Sequence, residues 1–128
     1  MKLRLDQQDL DSIKDIETNC SKHISVVNDI YSWEKELKAS QVGHEEGAAL
    51  CSAVSVLSAE MMLNIPATKR VLWVMCREWE LRQKELVVNR LTSGQFCSHD
   101  LQLFMKGLEL QMSGNEVWSS TTPRYHRV

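Results

Sequence analysis

Apolar residues in the first third of the chain recur every three or four positions, the spacing that places them on one side of an α-helix. Asp6 and Asp9 have the spacing of a capping box, which predicts that the helix begins near residue 6. No Gly or Pro occurs before Gly43, so we expect one long helix, with Thr18 and Asn19 as the place for a break. The apolar series consists of Leu10, Ile13, Ile16, Cys20, Ile24, Val27 and Tyr31.

Two further helices are predicted in the middle of the chain. The first spans 48–63 and is so rich in Ala, Leu, Val and Met that we expect burial on nearly all sides. The second runs from residue 67 to about residue 91, where the Ser-Gly pair at 93–94 ends it. Its pattern places Arg77 and Arg90 largely outward.

A last helix is predicted to begin at Ser98 or Asp100, either of which can cap it. The Ser-Gly pair at 113–114 is expected to interrupt this helix and to leave Trp118 on a short final turn. No segment of the sequence alternates apolar and polar residues with β-branched side chains, as a strand would. The sequence therefore predicts an all-α fold.

Composition narrows the class of protein. With 128 residues, 43% apolar and 25% charged, the chain fits one globular domain or part of one. A net charge of -2 provides no basic surface, so we expect neither nucleic acid nor membrane as a partner. The four cysteines are widely spaced, without a CxxC pair or a preceding export signal, which favours small core residues in a cytoplasmic protein.

A polar series occupies one face of the first helix. Asn28, Ser32 and Glu36 follow one another at i, i+4 and i+8, and Lys35 falls in the same sector. Amide, hydroxyl and carboxylate oxygens are hard ligands of the kind that Mg²⁺ accepts, and a lysine could bind an anion held by that metal. An ordinary solvated helix face is the alternative.

The C-terminal tail carries a second candidate group. Arg124 offers a fork of donors and Tyr125 a phenol, a pair suited to diphosphate oxygens if the tail folds back. An Arg-Tyr pair alone means little.

Together, the N-D-x-x-S-x-x-x-E helix and the W-x-x-x-x-x-R-Y terminus in an all-α chain resemble the C-terminal half of a class I terpene cyclase. The segments SVVNDIYSWEKE, ATKRVLWVMCREWE and MKGLELQMSGNEVWS are similar to fungal sesquiterpene cyclases of the aristolochene synthase type. The resemblance covers nearly the whole chain from about Leu10 onward.

The resemblance implies an antiparallel helical bundle around an apolar pocket, in which three Mg²⁺ ionise farnesyl diphosphate and the carbocation cyclises. Asp29 belongs to the motif without being a ligand. Carried over by position, the resemblance implies one Mg²⁺ held by Asn28, Ser32 and Glu36, diphosphate bound by Lys35, Arg124 and Tyr125, and a catalytic ring, Trp118, facing the cation.

Charge adds a constraint to this expectation. Two neutral ligands and one carboxylate supply a single negative charge, which is little for a strongly hydrated Mg²⁺. We therefore hypothesise that the metal binds only together with diphosphate.

The sequence departs from the family in one respect, since it contains no adjacent Asp pair to serve as the Asp-rich motif that binds the other two metals. We expect 1–128 to be the C-terminal part of a single terpene synthase catalytic domain, with the N-terminal half absent. The alternative is a non-catalytic helical remnant or partner-binding protein that keeps only diphosphate and Mg²⁺ binding. For either reading, helices without the packing partners of the N-terminal half would expose apolar faces, which favours self-association.

Other polar and aromatic residues receive structural interpretations. The four histidines show no metal-ligand spacing, so surface or helix-flank positions are expected, His23 included. Trp33, Trp73 and Trp79 are expected to pack in the core. The pair Arg77 and Glu78 is expected to be solvated.

Overall fold

A computed structural model describes residues 3–42 and 52–122. These ranges contain helices and no strand, which confirms the all-α class. The helices are α1 (Gln7–Ser12), α2 (Lys14–Val42), α3 (Ala53–Met61), α4 (Ile65–Leu91) and α5 (His99–Thr121). None of them is long and apolar enough to cross a membrane.

The first two helices are separated earlier than the pattern predicts. The capping box is confirmed, because Asp9 N donates to Asp6 Oδ1 at 2.7 Å and Asp6 N donates to Asp9 Oδ2 at 3.2 Å. The helix breaks at Ile13, and the expected break at Thr18 and Asn19 is wrong. The Asn19 amide donates instead to the backbone oxygen of Trp79 at 2.8 Å, so it does not compete with its own backbone.

The long helix α2 packs against α3, α4 and α5 and so lies at the centre of the described structure. Its apolar side joins two clusters, as the three-to-four spacing predicts. The first cluster consists of Ile13, Ile16, Leu86, Leu101 and Met105; the second consists of Val27, Ile30, Trp33, Val54, Leu72 and Cys76.

Trp33, Trp73 and Trp79 and two of the four cysteines bear out their predicted packing role, whereas Cys97 is only partly buried and Cys51 lies outside the described residues. Trp33 is buried, and Trp73 and Trp79 pack against the same cluster. Cys20 and Cys76 are buried free thiols, and burial raises the pKa of Cys76 to about 12.

The short helix α3 is less buried than its composition predicts. Only Val54 is buried, whereas Val56 is 53% exposed and Met61 is 60% exposed. The reason is that α3 packs on one side only, against α2 and α4. The expectation of burial on nearly all sides is therefore wrong for the described residues 52–63.

The helix α5 continues through the Ser-Gly pair at 113–114, so the predicted interruption is wrong. A central glycine costs a helix about 1 kcal/mol. Buried side chains on both sides of the pair, Met112 and Ser119, offset this cost through packing. Trp118 consequently lies in the same helix as Met112.

Arg90, predicted to point outward, is buried at the end of α4. Its guanidinium donates to Ser12 Oγ at 3.2 Å and to the backbone oxygens of Gln95 at 3.2 Å and Phe96 at 2.9 Å. One side chain therefore joins α1, α4 and the loop before α5. The sequence pattern misses this role because the partners are loop oxygens and a residue 78 positions away.

Replacing Arg90 by lysine tests this anchor. Lysine has no planar fork and cannot reproduce three divergent hydrogen bonds, so we expect Arg90→Lys to lower the free energy of unfolding by about 2 kcal/mol. The measurement is urea unfolding followed by circular dichroism at 222 nm.

Arg82→Lys is the matched control, because Arg82 lies on the same helix and is exposed. We expect it to change stability by less than about 0.5 kcal/mol. Equal stability of the two variants would contradict the anchoring role.

Candidate metal and diphosphate site

The predicted ligand series lies in the middle of α2, beside the core. Ser32 is buried with 8% exposure, and Asn28 and Glu36 are partly buried. Ser32 Oγ donates to Glu36 Oε1 at 2.8 Å, so two of the three predicted ligand side chains are held together. This arrangement disfavours the alternative of an ordinary solvated face.

The third predicted ligand, Asn28, is held from another helix. Its Oδ1 accepts hydrogen bonds from Asn115 Nδ2 at 3.2 Å and from Ser119 Oγ at 3.3 Å, both on α5. Sequence reasoning missed these two donors. The available signal is their separation of four residues, which places them on one helix face, but nothing in the sequence pairs that face with Asn28.

Asp29 has a structural role next to the ligand series. Its Oδ2 accepts from the backbone N–H of Ala53 at 2.9 Å, at the first residue of α3. A carboxylate there satisfies an unpaired N–H and complements the positive end of the helix dipole. Asp29 thereby holds the start of α3 against the turn of α2 that carries Asn28.

The remaining predicted site residues are only partly described. Lys35 is exposed on α2, and Trp118 is 48% exposed near the end of α5. Trp118 directly precedes Ser119, so its ring is carried by the turn that contacts Asn28. The predicted diphosphate-binding residues Arg124 and Tyr125 lie outside the described residues.

A network of charged side chains joins α2, α4 and α5 near this site. His23 Nε2 lies 2.9 Å from Glu80 Oε2 and 4.0 Å from Glu116 Oε1. Arg77 donates to both oxygens of Glu116, at 2.9 and 3.0 Å, and also contacts Glu80. These hydrogen bonds, that of Glu116 first, raise the pKa of Arg77 above its ordinary value.

One expectation about this network is therefore wrong. His23 is buried with 1% exposure, although a surface or helix-flank position was expected. The expected solvation of Arg77 and Glu78 is confirmed, because both residues are exposed. Arg77 also pairs with two carboxylates, and its guanidinium lies 5.2 Å from the ring centre of Trp73. Neither partner helix could be assigned from the chain alone.

The network borders a cavity of about 360 Å³. Ligand atoms of His23, Glu80 and Glu116 lie within 4.8 Å of one another, a spacing compatible with a metal ion. Arg77 already neutralises the carboxylates, so we interpret the group as an ion-pair network that fixes α5 against α2 and α4.

Comparison with known proteins agrees with the geometry. The family model described as terpene synthase family 2, C-terminal metal binding, matches residues 1–82. Aristolochene synthase of Penicillium roqueforti is 57% identical over 98% of this chain and 37% of that protein. Aristolochene synthase of Aspergillus terreus is 52% identical over 100% of this chain and 40% of that protein.

The fold is similar to that of a solved relative. The crystal structure of aristolochene synthase from Penicillium roqueforti matches with a TM-score of 0.81 and 54% identity, over 94% of this chain and 38% of that chain. The chain therefore spans about two fifths of the length of these relatives. Because the family model matches more than half of the residues of this chain, the chain belongs to terpene synthase family 2. The matched residues correspond to the C-terminal metal-binding region of that family.

Proposed function

We propose that this chain is the C-terminal part of a sesquiterpene synthase of the aristolochene type, in which Mg²⁺ and cationic side chains ionise farnesyl diphosphate. The observation that carries the proposal is the ligand series on α2, in which Ser32 Oγ and Glu36 Oε1 are 2.8 Å apart. The 57% identity to an aristolochene synthase over 98% of this chain supports the sesquiterpene class.

The donor set fits Mg²⁺ rather than a softer metal. Asn28, Ser32 and Glu36 offer an amide, a hydroxyl and a carboxylate oxygen, and hard oxygen ligands are those that Mg²⁺ prefers. When bound, Mg²⁺ would stabilise the negative charge that develops on the departing diphosphate. The single negative charge of the set supports binding of the metal together with diphosphate.

Binding of the diphosphate is assigned to three hydrogen-bond donor side chains of this chain. Lys35 is exposed one residue before Glu36, where its ammonium can reach an anion beside the metal. Arg124 and Tyr125 would add a guanidinium fork and a phenol from the tail. Their role is to bind and orient the anion before the carbon–oxygen bond breaks.

Trp118 is assigned the role of stabilising the carbocation. An indole ring attracts a cation through its face, most strongly where water is excluded. Trp118 lies on the turn whose Ser119 contacts Asn28, which supports a place between the metal ligands and the reacting hydrocarbon.

The proposal extends to the substrate class, the partners, the location and the domain organisation. We propose a small-molecule substrate, no nucleic-acid or membrane partner, and a cytoplasmic location. We also propose that 1–128 is the C-terminal part of a single catalytic domain, whose N-terminal half these residues do not include. Exposed apolar side chains on α4 and α5, among them Val74, Val88 and Val117, support self-association when that half is absent.

A second function is favoured by one feature of the sequence, which contains no adjacent Asp pair. The 128 residues by themselves would then bind Mg²⁺ and diphosphate without turnover, because ligands for the other two metals are missing.

Calorimetry tests the proposed metal site. We expect no heat of Mg²⁺ binding to the chain alone and measurable binding once inorganic pyrophosphate is present, because the site carries one negative charge. Glu36→Gln removes that charge and should weaken the pyrophosphate-dependent binding by about tenfold or more.

Glu34→Gln is the matched control, since Glu34 lies on the same helix and is 70% exposed. It should bind Mg²⁺ like the unchanged chain. Tight Mg²⁺ binding without pyrophosphate, or equal binding by the two variants, would contradict the proposed site.

Turnover separates the two functions. We expect the 128-residue chain, incubated with farnesyl diphosphate and Mg²⁺, to release no hydrocarbon detectable by gas chromatography. Aristolochene synthase of Penicillium roqueforti provides the positive control under the same conditions. A hydrocarbon product would contradict binding without turnover and would make these residues sufficient for catalysis.

A further inference from the structure

Both lone pairs of the Asn28 amide oxygen accept hydrogen bonds from neighbouring side chains. An amide oxygen has two lone pairs, and a metal ligand must give one of them to the cation. Asn28 Oδ1 already accepts from Asn115 Nδ2 at 3.2 Å and from Ser119 Oγ at 3.3 Å. In this arrangement Asn28 cannot ligate a metal without losing a hydrogen bond.

The other two predicted ligands are not restricted in this way. Ser32 uses its proton, not its lone pairs, in the hydrogen bond to Glu36. The Glu36 carboxylate has about four lone-pair sites, of which this bond takes one. Both oxygens can therefore receive a cation while their hydrogen bond stays closed. Among the hydrogen bonds between described residues, only those of Asn28 must be exchanged for the metal.

We propose that Asn115 and Ser119 are positioning residues that compete with the metal for the oxygen of Asn28. This inference rests on the proposed function and adds a step to it, in which one donor leaves Asn28 when the metal binds. The ligand series would thus exist in a closed state, with Asn28 bonded to α5, and an open state, with Asn28 on the metal.

The anchoring of α5 indicates which donor leaves. Asn115 lies between Met112, which is buried, and Glu116, which Arg77 holds with two hydrogen bonds. Ser119 comes one turn later, close to the end of the helix at Thr121. Ser119 is fully buried, but a serine hydroxyl in a helix can turn to a backbone oxygen of the preceding turn, so it can leave Asn28 without staying unpaired, and we assign the exchange to Ser119.

This assignment couples the metal to the turn of α5 that carries Trp118, because Ser119 is the next residue.

Removing the Ser119 hydroxyl tests the competition. Calorimetry with Mg²⁺ in the presence of inorganic pyrophosphate should show that Ser119→Ala binds the metal about two- to tenfold more tightly, because one hydrogen bond no longer has to open. Ser119→Thr keeps the hydroxyl and should return the affinity toward that of the unchanged chain.

Ser120→Ala is the matched control. The neighbouring hydroxyl of Ser120 donates to the backbone oxygen of Val117 at 2.8 Å and is exposed, so its loss should leave the affinity unchanged. Weaker or equal binding by Ser119→Ala would overturn the proposal, since a residue that merely orients Asn28 would strengthen the site.

A measurement without metal separates this proposal from the proposed function. In a double-mutant cycle on urea unfolding, the losses from Asn28→Ala and Ser119→Ala should not add, because both remove the same contact. Additive losses would overturn the proposal. If the losses are not additive but the unchanged chain and Ser119→Ala bind Mg²⁺ with equal affinity, the competition is ruled out and the proposed metal site stands. If neither protein binds Mg²⁺ in the presence of pyrophosphate, the proposed function is ruled out and the competition with it.

Discussion

The burial of one side of α2 is the constraint on which the described structure depends. Val27, Ile30 and Trp33 enter one apolar cluster, and Ile16 enters the other, so the rotation of α2 about its axis is fixed. The ligand series lies beside this side, which places Ser32 at the edge of the core. The free energy of apolar burial thus determines the direction in which the side-chain oxygens of the ligand series point, although this burial is not itself needed for binding a metal.

Polar contacts refine what apolar packing leaves open. Asn28 is bonded to α5, Asn19 to α4, and the ion-pair network around Arg77 links both helices to α2. Each buried polar group would be costly without its partner, so these contacts specify one register of α5 against α2. That register sets the distance between the proposed Mg²⁺ ligands and Trp118.

Most of the fold could be predicted from the chain, because apolar periodicity and capping residues act locally. The core side of α2, the cap at Asp6 and the class all follow from such signals. The errors concern residues whose partners lie far away, such as Arg90 with Ser12, 78 positions apart. For the site, the motif placed Asn28 to Glu36 on one helix, but Asn115 and Ser119 required the packing of α5.

Hydrogen exchange of backbone amides tests most directly whether packing holds the ligand series in place. In the chain without ligands, we predict that amides of residues 27–33 exchange only through global unfolding, with the free energy obtained from urea. Amides of α1, which has no buried residue, should exchange far faster. Exchange of residues 27–33 at the rate of α1 would contradict the account, because the proposed metal ligands would then lie on a helix that the core does not hold.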